Sequence, residues 1–89
     1  MPGWATQVFA REFDTALGRL PQAQRVLVLE KITELGRRLE TFPHYRMTGR
    51  NEYRLRVGDY RVIYRFDAAR GEIQLITLGH RREIGRAHV

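Results

Sequence analysis

The sequence contains no cysteine, only one lysine and no long hydrophobic run. The absence of cysteine excludes disulfides and thiolate metal sites. No apolar stretch approaches the roughly 18 residues that a membrane helix needs, and no signal-peptide pattern is present, so a cytoplasmic protein without membrane contact is expected. The histidines, His44, His80 and His88, lack a recognisable metal spacing, and no phosphate-binding glycine loop or nucleophile motif is found. Neither a metal nor a cofactor is therefore expected.

The chain length allows one domain with a modest core, and residues 1–89 are expected to form it. Trp4 to Val8 is typical of a short strand. The next apolar residues recur at helical spacing and predict a short helix that stops before Pro21; they are Phe13, Leu17 and Leu20.

A second apolar stripe predicts a helix of about twenty residues that follows Pro21 and ends at Pro43. Its members step by four, three, four and three residues: Val28, Ile32, Leu35, Leu39 and Phe42. Because a proline joins the two helices, they are expected to form an antiparallel hairpin. The stripe is expected to face the core of the protein, with pairing to a second copy as the alternative.

After the second helix the apolar period changes from that of a helix to that of a strand. Tyr53–Val57 and Tyr60–Phe66 predict a hairpin around Gly58-Asp59, and Ile73–Leu78 predicts a further strand before a basic tail. The expected fold is α+β, with an antiparallel meander of three strands plus the N-terminal strand, packed on the helical hairpin.

Charge is distributed unevenly along the chain, whose formal net charge is +6. Residues 1–45 carry six basic and five acidic side chains, whereas residues 46–89 carry ten and five. All the basic residues except Lys31 are arginine, whose planar guanidinium fits phosphate and stacks on bases. GC-rich coding would explain the choice of arginine over lysine but not the clustering. The pattern favours a polyanionic partner, either nucleic acid or an acidic protein.

Alternation along the predicted hairpin places four arginines on one face of the sheet, here called the arginine face: Arg54, Arg56, Arg61 and Arg65. The two-residue turn sets Arg56 opposite Arg61, a like-charge pair that is destabilising by a few tenths to about 1 kcal/mol. The hairpin has no acid on that face to offset the repulsion. The side chains either splay into solvent at little cost or form an anion site, and the second interpretation is favoured.

Three segments resemble the RelE/ParE superfamily of bacterial toxins in type II toxin–antitoxin systems. They are the hairpin YRLRVGDYRVIYRF, the overlapping segment PHYRMTGRNEYRLRVGDYR and the strand IQLITLGHRRE. The resemblance covers essentially the whole chain and is nearest to the RelE-like subgroup. It implies a RelE-like fold and a ribosome-dependent endoribonuclease, an mRNA interferase that cuts mRNA in the decoding site. It also implies metal-free attack of the RNA 2′-hydroxyl on its adjacent phosphate, and an antitoxin protein as partner besides ribosome and mRNA.

The resemblance further implies which residues form the site. The arginines expected to stabilise the pentacoordinate phosphate are Arg54, Arg56, Arg61 and Arg81. Binding of RNA or the ribosome is expected from Arg46, Arg50, Arg65, Arg82 and Tyr45. Because arginine stays protonated whereas histidine titrates near neutral pH, His80 is a conditional general base.

Gly85 departs from the pattern of this superfamily, since many relatives have a tyrosine at its position. That tyrosine stacks on a substrate base or assists proton transfer, and such stacking contributes about 1–3 kcal/mol per base. The departure keeps two alternatives open. One is a ParE-like inhibitor of DNA gyrase that performs no chemistry, and the other is a detoxified member that remains an antitoxin-bound repressor component.

Overall fold

The structure is a computed structural model that describes residues 4–80, and these residues form two helices and five strands. In chain order they are β1 (Thr6–Phe9), α1 (Arg11–Gly18), α2 (Gln22–Arg37), β2 (Tyr45–Arg46), β3 (Tyr53–Val57), β4 (Tyr60–Asp67) and β5 (Glu72–His80). Within the described residues, neither helix has the length and apolar content to cross a membrane. The predicted α+β class is confirmed.

All five strands of the described chain form one sheet, in the order β1-β5-β4-β3-β2. The predicted antiparallel meander of β3, β4 and β5 is confirmed, and β2 adds antiparallel to β3. β1 runs parallel to β5, with Thr6 opposite Glu72 and Phe9 opposite Leu75, so the sheet is mixed. A parallel pairing is possible because both helices and the strands β2, β3 and β4 separate these strands in sequence.

The core lies between α1, α2 and one face of the sheet. Phe13 from α1 and Ile32 from α2 are fully buried against Tyr64 and Leu75 of the sheet. The predicted apolar stripe of α2 therefore faces the core of the protein. Truncating Ile32 to alanine is expected to cost about 2–5 kcal/mol, because the methylenes it removes lie in a closely packed interior.

The C-terminal end of α2 differs from the prediction. The helix ends at Arg37, well before Pro43, and the chain then turns with the Phe42 N–H donating to the Arg38 carbonyl at 2.7 Å. Leu39 and Phe42 still pack on the core from this turn. The apolar residues keep the spacing of a helix beyond its end because the side chains of the turn pack against the same core.

The predicted hairpin of β3 and β4 is confirmed, with Val57 opposite Tyr60 at its closed end. Gly58 has a φ of 60°, which L side chains rarely adopt. A glycine at the first central position is typical of a two-residue type II′ hairpin turn. The turn fixes the register of β3 against β4 and hence the face on which each arginine lies.

Candidate functional site

The register of the hairpin places the arginines as alternation predicted. Arg56 pairs directly with Arg61, and Arg54 pairs with Ile63. Arg54 and Arg56 are exposed and Arg61 is half-buried, whereas Ile63 between them is only 3% exposed. The alternate residues Leu55, Val57 and Val62 belong to the core, so the arginine face lies on the side of the sheet opposite the helices.

An open cleft of about 410 Å³ runs along the edge of β3. It is lined by Lys31, Phe42, Pro43, Tyr45, Arg54, Leu55, Arg56 and Arg61, and is here called the arginine cleft. It exists because β2 pairs only with Tyr53 and Arg54, so among the described residues no strand covers β3 beyond that point. None of the described residues that line the cleft is acidic, so three guanidinium groups and one ammonium group favour an anionic ligand.

Arg65 belongs to a different cluster from the other three arginines. Its Nη2 donates to Glu52 Oε2 at 2.9 Å, and Arg50 Nε donates to Glu52 Oε1 at 2.8 Å. Glu52 is only 8% exposed. The hydrogen bonds from Arg50 and Arg65 lower the pKa of Glu52 below its ordinary value of about 4.5. The sequence reasoning missed Glu52 because it lies just before the alternating hairpin.

Arg46 is the last residue of β2, and its side chain is held by the loop that joins β2 to β3. Its Nε donates to the Arg50 carbonyl at 2.8 Å, and its Nη2 donates to Asn51 Oδ1 at 3.1 Å. The guanidinium group thereby bonds to the backbone of Arg50 and to the side chain of Asn51 in the same loop. The arginine cleft is therefore not lined by Arg46, Arg50 or Arg65.

His44 fixes the segment that leads into β2. Its Nε2 lies 2.7 Å from the Leu39 carbonyl and its Nδ1 lies 2.6 Å from the Tyr64 hydroxyl. Because a carbonyl only accepts, Nε2 carries the proton, and Nδ1 of the neutral ring accepts from Tyr64. Burial raises the pKa of Tyr64 above its ordinary value of 10, so this hydroxyl keeps its proton. His44 also stacks on Phe66 with centroids 4.0 Å apart.

The His44 contacts determine where the next residue lies. Tyr45 pairs with Arg54 across the β2–β3 ladder, and it lines the arginine cleft while 63% exposed. An exposed aromatic ring beside guanidinium groups is a suitable surface for an unpaired base. The anchored histidine therefore supports the position of the ring in the cleft.

His80 is the last residue of β5. It pairs with Tyr60, and the two rings are in contact with centroids 5.7 Å apart. Tyr60 packs against the core, so residues opposite it share the helix-facing side of the sheet. His80 therefore lies on the face of the sheet opposite the arginine face, and its role as a conditional general base stays a prediction.

Three of the predicted positions, Arg81, Arg82 and Gly85, lie outside the described residues. Lys31 was not predicted as a site residue, yet it lines the arginine cleft from α2. No periodic signal in the sequence relates this position to the hairpin, because only the packing of α2 against β3 brings them together.

The chain is similar to known toxins of toxin–antitoxin systems. The sequence profile of a family described as ParE toxin of type II toxin–antitoxin system, parDE, matches residues 5–85. A chain of the archaeal RelE–RelB complex from Pyrococcus horikoshii is 30% identical, with a TM-score of 0.71 over 91% of this chain and 97% of that chain. No curated protein sequence matches this one.

Two further solved structures share the fold at lower identity. A chain of the RelBE2 toxin–antitoxin complex from Mycobacterium tuberculosis is 24% identical, with a TM-score of 0.71 over 86% of this chain and 91% of that chain. The isolated RelE toxin of E. coli is 13% identical, with a TM-score of 0.70 over 93% of this chain and 98% of that chain. Both similarities concern the arrangement of helices and strands.

Proposed function

The chain belongs to the family of ParE toxins of type II toxin–antitoxin systems, within the RelE/ParE superfamily, and from this premise we propose that it is an endoribonuclease that cuts mRNA on the ribosome. The proposal extends to the cytoplasm as its place of action, since ribosomes and mRNA are there. The observation that carries it is the arginine cleft, in which Arg54, Arg56 and Arg61 face one open volume.

In the proposed reaction, the 2′-hydroxyl oxygen of one nucleotide attacks the adjacent phosphorus. The bond to the 5′-oxygen of the next nucleotide breaks, which leaves a 2′,3′-cyclic phosphate and a 5′-hydroxyl. The proton of the attacking hydroxyl passes to solvent, and the leaving oxygen takes one from solvent. Arg54, Arg56 and Arg61 bind the phosphate and stabilise the additional negative charge of the pentacoordinate state.

The sheet makes these guanidinium groups effective because it holds their Cα atoms in a fixed register. Donors positioned before the reaction need little reorganisation as charge develops on the phosphate, which is the main source of electrostatic catalysis. Arg81, which the family resemblance adds to this set, and Arg82 extend the proposed site beyond the described residues. Tyr45 is proposed to stack on a base next to the bound phosphate.

The test uses translating ribosomes and maps the ends of the mRNA after addition of the purified protein. We expect new ends within the decoding site, and a loss of about 100- to 1,000-fold in cleavage rate for Arg61→Ala. Arg70→Ala is the matched control, because Arg70 is exposed in the β4–β5 turn and does not line the cleft. Intact mRNA with the unmodified protein would overturn the proposal.

A Gly85→Tyr variant belongs in the same experiment. If stacking by a tyrosine at this position serves the reaction, the variant should cleave faster, by up to the 1–3 kcal/mol that a stacked base contributes, or about 5- to 150-fold. An unchanged rate would show that the chain does not need an aromatic ring there.

The second candidate function is inhibition of DNA gyrase without chemistry, and the family profile, which is that of ParE toxins, favours it. The described lining of the arginine cleft also includes no histidine or carboxylate that would accept a proton. Under this alternative mRNA stays intact, while supercoiling by purified gyrase falls as the protein is added.

The antitoxin partner is proposed to cover the arginine cleft. The Pyrococcus horikoshii relative is a complex of RelE with RelB, and a cleft lined by four cations favours an acidic segment. Double charge reversal, Arg54→Glu with Arg56→Glu, should then weaken binding of the antitoxin. Unchanged affinity would place the antitoxin on another surface.

A further inference from the structure

The arginine cleft has two walls that come from opposite sides of the sheet. Arg54, Arg56 and Arg61 belong to the face away from the helices, whereas Lys31 belongs to α2, which packs on the other face. The two walls meet because β2 leaves the edge of β3 open beyond Arg54. A ligand in the cleft is therefore approached by cations from both sides of the strand edge.

The present partner of Lys31 holds it weakly. Its Nζ lies 3.7 Å from Glu34 Oε1, and both side chains are 43% exposed. The other oxygen of Glu34 accepts a closer bond from Arg38 Nη1, at 3.1 Å. Exposed ion pairs one helical turn apart contribute only a few tenths of a kcal/mol, so the ammonium group can exchange this carboxylate for another anion at about that cost.

We infer that Lys31 is a phosphate-binding residue of this site, and that single-stranded RNA crosses the open edge of β3 between α2 and the arginine face. One phosphate lies on Arg54, Arg56 and Arg61, and Lys31 binds a neighbouring phosphate on the helix side. The inference rests on the proposed function, since it assumes that the cleft binds RNA. The cleft volume of about 410 Å³ is that of a pocket for one small ligand, which suits a strand with unpaired nucleotides better than a duplex.

The chemistry of the residue fits this role. Lys31 is the only lysine of the chain, and an ammonium group on a flexible stem acts as a point charge that follows a mobile phosphate. The arginine forks on the sheet orient one phosphate by paired hydrogen bonds. Lys31 is thus a positioning residue that sets the path of the strand, and the arginines remain the groups at the reacting phosphate.

The experiment measures binding of an RNA oligonucleotide that carries a 2′-deoxy substitution and so cannot be cut, by fluorescence anisotropy over a series of salt concentrations. For Lys31→Ala we expect affinity at low salt to fall about 3- to 10-fold and the slope of log affinity against log salt to shrink by about 0.7. Lys31→Arg should retain both values. Arg19→Ala is the matched control, since it removes one exposed positive charge from the end of α1, outside the cleft.

A second variant separates phosphate binding from a structural role. Glu34→Gln removes the carboxylate that competes for Lys31, so the affinity for the oligonucleotide should rise. Glu40→Gln is the control, because it removes an exposed negative charge outside the cleft. The affinity of Glu34→Gln should be about twofold higher than that of Glu40→Gln. A Lys31→Ala variant that behaves like Arg19→Ala, while Arg61→Ala weakens binding, would overturn the inference alone. Failure of the unmodified protein to bind the oligonucleotide would also overturn the inference, whereas the proposed function would be overturned only by intact mRNA in the ribosome assay.

Discussion

Arg56 and Arg61 lie directly opposite each other on β3 and β4, so one cross-strand pair of the sheet holds two like charges. We expect Arg56→Gln to raise the free energy of unfolding by a few tenths to about 1 kcal/mol, since the change removes the repulsion from Arg61. Urea denaturation at two salt concentrations measures this, and a gain that does not shrink at high salt would contradict an electrostatic cause.

Charge reversal at the same pair tests whether it binds phosphate. Arg56→Glu together with Arg61→Glu should weaken RNA binding and reduce the salt slope by about 0.7 for each phosphate that the variant no longer neutralises. Anisotropy titrations at several salt concentrations give the slope. An unaltered slope would show that these side chains do not bind phosphate, even if the affinity changes.

The ion pairs of Glu52 with Arg50 and Arg65 should make the free energy of unfolding fall as the solution becomes acidic. Because Arg50 and Arg65 lower the pKa of Glu52 in the folded protein, its contribution is present above the unfolded value of about 4.5 and is lost as pH falls through the folded value. Glu52→Gln should therefore be less stable than the unmodified protein at pH 7, and the difference should shrink as pH falls through the lowered pKa of Glu52. Denaturation between pH 3 and 7 measures it, with Glu30→Gln as an exposed control; a constant difference would contradict the linkage.

The bond between His44 and Tyr64 should show coupling. His44→Ala leaves the buried Tyr64 hydroxyl without its acceptor and should cost about 1–3 kcal/mol. In the background of Tyr64→Phe the same change should cost less, because no hydroxyl remains to be satisfied. A double-mutant cycle by urea denaturation checks this, and strict additivity would mean that His44 acts through its stacking on Phe66 instead.

The position of His80 on the helix-facing side predicts its effect on cleavage. His80→Ala should leave the single-turnover rate within about twofold of the unmodified protein, whereas Arg61→Ala should lose at least about 100-fold. Both variants are compared on the same ribosomal complex. A large loss with His80→Ala, and a pH profile that changes with it, would return His80 to the mechanism as a base.

The sequence predicted most of the fold because each signal was local. Alternation from Tyr53 to Phe66 indicated both strands of the hairpin, and the register of Arg56 with Arg61 followed from the length of the turn. The end of α2 was missed because Leu39 continues the apolar spacing into a turn. β2 was missed because two residues are too few to show a period.

The sequence predicted only those residues of the arginine cleft that follow from the alternation of side chains along the hairpin strands. Alternation identified Arg54, Arg56 and Arg61, but it could not show that Glu52 engages Arg65 from outside the hairpin. The side of the sheet on which His80 lies depends on the irregularity in the β4–β5 register near Ile63, which no local pattern reveals. Lys31 enters the cleft through the packing of a helix that is distant in sequence.

The short second strand has a consequence beyond ligand binding. Because β2 ends so early, the edge of β3 that faces away from β4 has no paired strand from Leu55 to Val57 among the residues that the structure describes, and this edge is open to other molecules. Such edges recruit strands from neighbouring chains, and a positively charged side chain beside them is a known protection against that association. The charge of Arg56, which also lines the cleft, is therefore expected to oppose this association. An Arg56→Leu variant would be more prone to aggregate than the unmodified protein.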